Sequence, residues 1–431
     1  MLERIEPMDC GVGVIGAGTV GGGVIQTLLS HGELMRSKTG VGLRLVHVAE
    51  PRQECLREFE LGGVTVSKGA EGVINDPKVD VVCELIGGLD PAKRFILDAL
   101  AAKKHVVTAN KMLLAHAGPE LTRAAMENGV ELRYEAAVAG GIPIIKSLRE
   151  GLVSNPIRVI YGILNGTCNY ILSRMTYDNM EFDETLKMAI EKGFAETPPD
   201  LDIEGTDTAH KCQILASLAY STEVDLDDIY VEGITKVTHA DVAYAREMGY
   251  LIKLLAVIRS LDGEIEARVH PTLVPEDHLL ASVRNEFNAV HVTGDVADAT
   301  LYYGRGAGRM PTASAVVADI MDIARRGNAP PTAPFVYGSR RAIRPMGCLA
   351  GRYYIRFNTT DEPGVLGKIC TILGAKGVSI ASVIQKERHE DDFVHVVLMT
   401  HETVESAVRE ALAEIDKLDF VQEETHVLRV L

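Results

Sequence analysis

Residues 11–30 read GVGVIGAGTVGGGVIQTLLS, an apolar strand that passes through a glycine-rich turn into an apolar helical pattern. Glycines at such a turn let the backbone approach a pyrophosphate, and the helix N-terminus offers free N–H groups and a positive dipole. The strand before the turn and the helix after it favour a dinucleotide-binding loop over a tight turn without a ligand. The candidate cofactor residues in this loop are Gly16, Ala17, Gly18, Thr19, Val20 and Gly21.

The alternation of strand and helix continues through the first third of the chain. Further β-rich runs, with helical stretches between them, are LRLVHVAE (43–50), VDVVCELIGG (79–88), KHVVTANK (104–111) and VELRYEAAV (130–138). Alternation of this kind favours a parallel sheet covered by helices on both faces. We therefore expect an α/β, Rossmann-type doubly wound domain over residues 1–145.

The pattern changes after this domain. Helical patterns dominate residues 146–225, and long β-like runs over 250–303 meet at turns such as Leu261-Asp262-Gly263. These features predict a second, α+β domain with an antiparallel sheet over residues 146–305. A glycine loop and a helical pattern over 306–328 are expected to return to the first domain.

The last part of the chain predicts a third domain. Residues 329–351 are rich in Pro, Gly and Ala, which indicates a linker. Residues 352–431 then read strand, helix, strand, strand, helix, strand. This order is typical of a ferredoxin-like βαββαβ fold.

Composition limits the class of function. The 431 residues are 46% hydrophobic and 24% charged, as in ordinary globular proteins of two or three domains. A formal charge of -16 without a basic stripe argues against nucleic-acid binding. No apolar run approaches the length of a membrane span, and the start does not resemble a targeting peptide, so we expect a cytoplasmic protein. The seven cysteines form no CxxC pair and are expected to be reduced and mostly buried, and small molecules are the expected ligands.

The end of the second predicted strand bears on the choice of coenzyme. Glu50 is a candidate acceptor for the adenosine ribose hydroxyls, and a carboxylate there repels the 2′-phosphate of NADP. However, Glu50 lies further from the glycine loop than the usual interval of about 20 residues. Arg52, close by, offers the opposite preference. The sequence leaves the choice between NAD and NADP open, with a slight preference for NAD.

The stretch DLDIEGTDTAHK (200–211) begins like a calcium-binding loop, with an acid at every second position and then a glycine. Such a loop ends in a bidentate Glu at its twelfth position, whereas Lys211 stands there and its charge repels the ion. If residues 206–220 form a helix, Asp207 and Lys211 share one face and can pair. One interpretation is a surface ion pair worth roughly a few tenths of a kcal/mol.

The other interpretation is catalytic. The apolar residues Ile214, Leu215 and Leu218 follow Lys211 at helical spacing, so the lysine lies near the buried face of the helix. Beside a cationic nicotinamide, desolvation and like charge would lower the pKa of this lysine, which suits a proton carrier near neutral pH. Asp207 could orient it.

Other charged residues allow two interpretations each. Lys111 follows a strand at the carboxyl end of the predicted sheet, where open α/β sheets bind their ligands, although such a lysine alone is more often solvated. Four carboxylates precede the predicted helix and could either hold a substrate ammonium group or lie on a solvated loop. They are Glu196, Asp200, Asp202 and Glu204.

Taken in order, the motifs resemble those of homoserine dehydrogenases. The resemblance covers about residues 10–327 and rests on VIGAGTVGGG, ELIGG, TANK, YEAAVAGGIPII, NGTCNYIL, GFAETPPDLDIEGTDTAHK and GRGAGRMPTASAVVADI. The last 80 or so residues resemble an ACT domain, with DEPGVL (361–366) as its strand-to-helix loop. The resemblance implies the reversible oxidation of L-homoserine to L-aspartate 4-semialdehyde with NAD or NADP, towards threonine, methionine and isoleucine.

The resemblance also implies roles for individual residues. It makes Lys211 the catalytic acid/base and Lys111 and Asp207 its partners at the substrate and the cofactor. Homoserine would contact Glu196, Asp202 and Asp207. The cofactor would further contact Ile86, Gly87, Lys111, Gly193 and Gly308. Sodium, which prefers hard oxygen ligands, would lie near Glu135, Val138, Gly140 and Ile142, largely through carbonyl oxygens.

Regulation and assembly follow from the same resemblance. The ACT loop and its helix N-terminus could hold an amino-acid carboxylate through Asp361, Gly364, Val365 and Leu366, and threonine is the implied effector. Such domains also pair edge to edge without a ligand, and a homodimer or homotetramer is expected. Two alternatives remain: a dehydrogenase for another amino-acid semialdehyde, and a catalytically silent dinucleotide-binding amino-acid sensor.

Overall fold

The structure is a computed structural model that describes residues 8–195, 197–327, 329, 338, 340–386 and 393–431. Glu196 lies outside the described residues, as do residues 330–337 and 339 of the predicted linker. The chain divides into two compact units. The first comprises the residues up to Ile160, then His210–Leu226 and Asn288–Arg341, and the second comprises Tyr161–Ala209, Asp227–Phe287 and Ala342–Leu431.

The first unit contains the predicted parallel sheet. Its strands are β1 (Met8–Ile15), β2 (Val41–Ala49), β3 (Thr65–Ser67), β4 (Val81–Glu84), β5 (His105–Thr108) and β6 (Leu132–Arg133). They lie in the order β3-β2-β1-β4-β5-β6, and every neighbouring pair is parallel. The chain order reverses between β1 and β4, which is where open α/β sheets bind ligands. The predicted Rossmann-type fold class is confirmed.

Helices connect and cover this sheet. They are α1 (Thr19–Thr39), α2 (Ala70–Asn75), α3 (Ala92–Ala101), α4 (Lys111–Asn128) and the short α5 (Ile144–Lys146). On strand β1, Val12 and Val14 are fully buried, and on helix α1 so are Val24 and Ile25, which explains the apolar character of residues 11–30.

The second unit begins with helices and continues into an antiparallel sheet. Strand β7 (Ile157–Ile163) contains the point, after Ile160, at which the chain passes from the first unit into the second. The helices of the second unit are α6 (Gly166–Tyr177), α7 (Phe182–Glu191), α8 (Asp200–Ile203) and α10 (His239–Glu247), and its strands are β8 (Tyr230–Val231), β9 (Tyr250–Leu261) and β10 (Glu264–Pro275). Helix α9 (Thr206–Tyr220) begins in the second unit and belongs to the first unit from His210 onwards. Strands β9 and β10 pair antiparallel over their whole length.

The hairpin between β9 and β10 has the geometry that its sequence predicts. Leu261 pairs with Glu264, and only Asp262 and Gly263 lie between them. Their φ angles are +51° and +86°, the left-handed values that two-residue hairpin turns require and that Asp-Gly adopts readily. The predicted antiparallel turn is confirmed.

The helix predicted to return to the first domain is α11 (Arg309–Arg326), which follows β11 (Phe287–Gly294) and β12 (Ala299–Arg305). It packs closely on α1, because a Cβ atom on Gly23 would lie only 2.5 Å from the carbonyl oxygen of Arg309. Val316 and Ile320 of this helix are fully buried in the same core as β1.

The end of the chain has the predicted βαββαβ order. Its elements are β13 (Ala350–Thr360), α12 (Val365–Ala375), β14 (Ile380–Gln385), β15 (Phe393–Thr400), β16 (Thr403–Val404), α13 (Glu405–Ile415) and β17 (His426–Val430). The strand order β17-β13-β15-β14 continues into β10, because Thr272 and Leu273 pair in parallel with Arg429 and Val430. This strand connection to the antiparallel sheet was not foreseen from the sequence.

Two negative findings concern the described residues alone. None of the helices is both long and apolar enough to cross a membrane. No cluster of three or more His, Cys, Asp or Glu side chains in these ranges could hold a metal ion. None of the seven cysteines, all of which are described, forms a disulfide bond, and four of them are buried: Cys10, Cys83, Cys168 and Cys212.

Candidate active site

The glycine loop has the geometry of a dinucleotide-binding turn. Gly16 has a φ of +92°, and its N–H donates to the carbonyl of Ala49 at 2.9 Å. A Cβ atom on Gly21 would lie 1.8 Å from the carbonyl oxygen of Gly16, so only glycine fits there. Gly18 is exposed, and a Cβ atom placed on it would meet no atom within 4 Å. The backbone at the N-terminus of α1 is therefore open to a ligand, as the sequence predicts.

Glu50, which directly follows the neighbouring strand β2, binds this loop through its carboxylate. Its Oε2 accepts a hydrogen bond of 2.8 Å from the N–H of Ala17, and its Oε1 accepts one of 2.9 Å from the N–H of Arg52. Burial disfavours the charged form, but these hydrogen bonds outweigh it and lower the pKa of Glu50. The Arg52 side chain, in contrast, is 69% exposed. Glu50 thus has a structural role that the sequence did not reveal.

A buried carboxylate at the end of β4 binds the backbone of the loop that follows this strand and a hydroxyl at the end of β5. Glu84 is fully buried, and its Oε1 accepts hydrogen bonds from the N–H groups of Ile86 and Gly87 at 2.9 and 3.3 Å. Its Oε2 accepts one of 2.8 Å from the Thr108 hydroxyl at the end of β5. The predicted cofactor residue Ile86 packs on the glycine loop, because a Cβ atom on Gly16 would lie 2.8 Å from its Cγ2.

Further hydrogen bonds connect Thr108 with Asn110, the residue before Lys111. The N–H of Asn110 donates to the hydroxyl of Thr108 at 3.0 Å, and its Nδ2 donates to the carbonyl of Gly88 at 2.7 Å. The Oδ1 of Asn110 accepts from the N–H of Leu113 and so caps α4, which begins at Lys111. Sequence reasoning assigned no role to Glu84, Thr108 and Asn110. Their positions at the carboxyl ends of two parallel strands were the available signal.

Lys111 and Lys211 lie on helices that contact each other. The rings of His116 on α4 and His210 on α9 lie 5.7 Å apart. The Nε2 of Gln213 on α9 donates to the carbonyl of Ala115 on α4 at 3.3 Å. These contacts join α4 to the part of α9 that belongs to the first unit, and the two predicted catalytic lysines lie close to them in the chain.

Helix α9 carries Asp207 and Lys211 one turn apart, and each is only 7% exposed. The interpretation as a surface ion pair is therefore wrong, because both charged groups are removed from solvent. Ile214, Leu215 and Leu218 are buried as the helical pattern predicts. A lysine this buried needs specific partners, since isolated charges are costly in the protein interior.

Asp202 and Asp207 are held by one side chain in the second unit. The Nδ2 of Asn165 donates to Asp202 Oδ1 at 2.7 Å and to Asp207 Oδ2 at 2.9 Å. The hydroxyl of Thr167 donates to the carbonyl of Phe194 at 2.5 Å and lies 3.4 Å from Asp202 Oδ2. Sequence reasoning assigned no role to Asn165 or Thr167, although both stand in the quoted motif NGTCNYIL.

The remaining predicted acids differ from this pair. Asp200 and Glu204 are exposed, on and beside helix α8, as the interpretation as solvated side chains predicts. The segment is helical rather than a calcium-binding loop.

Gly193, a predicted cofactor residue, is exposed just after α7 with a φ of +71°. Gly308, another, has a φ of +119° at the N-terminus of α11.

The predicted sodium site is a buried loop of the first unit. Both carboxylate oxygens of Glu135 accept backbone hydrogen bonds, from Ile145 at 2.8 Å and from Lys146 at 2.7 Å. Val138 and Gly140 are buried in the same loop. Their carbonyl oxygens are hard ligands of the kind that sodium prefers.

The predicted effector residues line a cavity of about 460 Å³ that is open to solvent. It is bounded by the loop Thr359–Leu366 together with Gln385 and Val396. Among the residues that the structure describes, the buried hydroxyls of Thr359 and Thr360 have no hydrogen-bond partner. Gly364, with a φ of +96°, precedes α12, whose N-terminus therefore faces the same loop. The cavity thus combines unused hydroxyl groups with a helix N-terminus.

A glycine turn at the switch point of a parallel sheet and a buried lysine one turn from a buried aspartate define a class of protein. They are the features of a dehydrogenase that uses a nicotinamide dinucleotide. The βαββαβ fold that follows has the form of an appended regulatory domain.

Comparison with known proteins gives the family. The model of the homoserine dehydrogenase NAD-binding domain matches residues 16–135, the homoserine dehydrogenase model matches 143–321, and the ACT domain model matches 353–420. The homoserine dehydrogenase of Pseudomonas aeruginosa is 43% identical over 420 residues, covering 95% of this chain and 96% of that protein. The homoserine dehydrogenase of Neisseria gonorrhoeae is 44% identical over 426 residues, covering 97% and 98%. The crystal structure of a homoserine dehydrogenase from Thiobacillus denitrificans superposes with a TM-score of 0.93, at 43% identity and 99% coverage of both chains.

The chain belongs to the homoserine dehydrogenase family, in its long form with a C-terminal ACT domain. It is an oxidoreductase that interconverts L-homoserine and L-aspartate 4-semialdehyde with a nicotinamide coenzyme, a step in amino-acid biosynthesis.

Proposed function

We propose that Lys211 is the group that exchanges the proton of the homoserine hydroxyl, and that Asp207 orients it. The observation that carries this proposal is the burial of both residues, one turn apart on α9. Burial strengthens their interaction relative to water and limits the orientations of the lysine. Lys111, on the neighbouring helix α4, is proposed as the second cationic group at the substrate and the cofactor.

In the proposed reaction homoserine loses a hydride and a proton, and each of them has its own acceptor. When bound, a nicotinamide coenzyme would supply the acceptor for the hydride that leaves the hydroxyl-bearing carbon of homoserine. Lys211 Nζ accepts the hydroxyl proton, directly or through water, as the C–O single bond becomes the aldehyde carbonyl. In the reverse reduction Lys211 returns that proton to the alkoxide oxygen. General acid–base catalysis of this kind contributes a factor of about 10² to 10⁴ to a rate.

Asp202 and Glu196 are proposed to bind the ammonium group of homoserine. Asp202 supports this role because it is only partly exposed and its Oδ1 is held by Asn165 at 2.7 Å. A carboxylate held in one orientation binds a cation with less loss of entropy than a mobile one. Anchoring the ammonium end fixes the distance of the reacting carbon from the coenzyme.

Coenzyme choice is proposed to depend on Arg52. Sequence alone slightly favours NAD because of Glu50, but both oxygens of Glu50 already accept backbone hydrogen bonds. The guanidinium of Arg52 is largely exposed and makes only a long contact of 3.4 Å to Glu50. We therefore infer that the site accepts the 2′-phosphate of NADP through Arg52, while NAD remains a substrate.

Two further ligands are proposed. Sodium would be held by the carbonyls of Val138 and Gly140 near Glu135 and Ile142, where its charge would stabilise the turn. Threonine would bind the cavity at Asp361, Gly364, Val365 and Leu366, with its carboxylate near the N-terminus of α12. A homodimer or homotetramer remains the proposed assembly.

The direct test of this function follows the nicotinamide absorbance with L-homoserine and either NAD or NADP, with and without threonine. The proposal predicts reduction of the coenzyme with homoserine and a lower rate with threonine. A second arm compares Asp202→Asn with Asp200→Asn, its exposed neighbour on α8. The proposal predicts a raised KM for homoserine in Asp202→Asn alone, and an unchanged KM would remove Asp202 from the substrate site.

A further inference from the structure

The side chain of Asn165 links three parts of the second unit. Its Oδ1 accepts a hydrogen bond of 2.8 Å from the N–H of Cys168, and so caps helix α6. Its Nδ2 donates to Asp202 Oδ1 at 2.7 Å and to Asp207 Oδ2 at 2.9 Å. The residue is 4% exposed. Both polar atoms of the side-chain amide therefore make hydrogen bonds, and these bonds determine its orientation.

This arrangement brings two carboxylates to one nitrogen. Asp202 lies on α8 and Asp207 on α9, so their separation is not set by a single helix. Two negative charges this close repel each other, and the repulsion is stronger in a buried site than in water. The two N–H groups of Asn165 and the positive end of the α6 dipole offset the repulsion.

We propose that Asn165 is a positioning residue that sets the spacing of Asp202 and Asp207. Through Asp202 it orients the carboxylate that receives the substrate ammonium group, and through Asp207 it orients Lys211, one turn further along α9. The inference rests on the proposed roles of Asp202 and Asp207. It assigns to the first residue of the NGTCNYIL motif a function that a helix cap alone would not require.

The chemistry of the site demands a neutral side chain with two donors and one acceptor. Asn165→Asp is nearly isosteric and keeps the capping oxygen, but it replaces the NH₂ group by a third negative oxygen. Asn165→Ser keeps a capping oxygen without adding charge, but a single hydroxyl cannot donate to both carboxylates. Both variants therefore retain the cap of α6 and lose the link between the acids.

The test measures KM for L-homoserine, kcat, the Kd of NADPH and the Tm of the intact enzyme. For both Asn165 variants we expect KM to rise about tenfold or more and kcat to fall, because a charge-assisted hydrogen bond is lost at each acid. We expect the Kd of NADPH to stay close to that of the wild type, and the Tm to fall more in Asn165→Asp than in Asn165→Ser, because only the first adds a negative charge to the buried site. The matched control is Asn155→Asp, because the Asn155 side chain serves mainly as an acceptor from Val296 and Ala297 and should tolerate the exchange.

A double-mutant cycle separates positioning from a general structural role. If Asn165 acts through Asp202, the KM of Asn165→Ser combined with Asp202→Asn should equal that of Asp202→Asn alone. Effects on KM that multiply would overturn the inference, and so would a wild-type KM in Asn165→Asp. A parallel rise in KM and in the Kd of NADPH, to the same extent in both Asn165 variants, would also overturn it. A normal KM in Asp202→Asn would contradict the proposed substrate role of Asp202. The failure of that role can therefore be distinguished from a failure of the positioning role of Asn165.

Discussion

The carboxylate of Glu50 accepts a hydrogen bond of 2.8 Å from the backbone N–H of Ala17, so the end of β2 holds the glycine loop that follows β1. This contact gives Glu50 a structural reason to be ionised. It also leaves Arg52, two residues later, as the exposed charged side chain at the end of the strand. Glu50 thus holds the loop, and the proposed contact with the 2′-phosphate of NADP is assigned to Arg52 alone.

Arg52→Ala is expected to raise KM for NADP while KM for NAD stays unchanged. A guanidinium that pairs with a phosphate contributes a charge-assisted bond, so its loss should weaken NADP binding by about tenfold. Initial rates with each coenzyme at saturating homoserine give both constants. Arg57→Ala, an exposed arginine of the same segment, serves as control. An equal effect of Arg52→Ala on both coenzymes would show that Arg52 supports the loop rather than the 2′-phosphate.

Arg356→Met is expected to destabilise the second unit. Arg356 Nε lies 2.7 Å from Asp241 Oδ1, and both side chains are buried. Burial disfavours ionised Asp241, but His426 and Arg356 outweigh it and hold its pKa well below the usual range. Removing the arginine leaves a buried carboxylate without its guanidinium partner, at a cost of about 3 to 5 kcal/mol in the free energy of unfolding.

Urea unfolding of three variants measures this cost. Asp241→Asn keeps the acceptor that caps α10 through the N–H of Thr238. The combination of Asp241→Asn with Arg356→Met should therefore be more stable than Arg356→Met alone, because no buried charge remains unpaired. A double variant that is less stable than either single variant would contradict the importance of the ion pair.

The buried side chain of Lys253 is expected to make the free energy of unfolding increase with pH. Its side chain is buried and donates to the carbonyl of Val283 at 2.5 Å and to Asn169 Oδ1 at 3.2 Å, two bonds that a neutral amine can make. Burial, with a smaller contribution from the charge of Arg284, lowers its pKa to about 7. Between this value and an unfolded pKa of about 10.4 the unfolded chain binds the additional proton, so stability increases as pH rises through this range.

The comparison of wild type with Lys253→Met isolates this group from the other titrating residues. The difference between their free energies of unfolding should shift in favour of the wild type by about 2 kcal/mol between pH 7 and pH 9. A difference that does not change with pH would show that Lys253 keeps an ordinary pKa in the folded protein.

Sequence patterns predicted the features whose signals are local. The spacing of Gly16, Gly18 and Gly21 predicted the turn after β1, and the apolar positions after Lys211 predicted the burial of that lysine. Asp262-Gly263 predicted the hairpin because its conformation depends on only two residues.

The features that could not be predicted depend on contacts between distant segments. Asn165 reaches acids that are 37 and 42 residues further along the chain, and a helix-cap motif does not indicate which side chains will approach it. Glu84 and Thr108 meet only because β4 and β5 are neighbours in the sheet. The position of β17 between β10 and β13 likewise depends on tertiary packing, since a five-residue strand pattern does not specify its partners.

The central claim is that Lys211 exchanges the proton of the substrate hydroxyl, and the most direct measurement is the turnover of Lys211→Met with homoserine. Lys187→Met, at an exposed position on α7, is the matched control, and the Kd of NADPH is measured for both. We predict that kcat of Lys211→Met falls by a factor of about 10² to 10⁴ while its Kd for NADPH matches that of the control. A kcat equal to that of Lys187→Met would contradict the account.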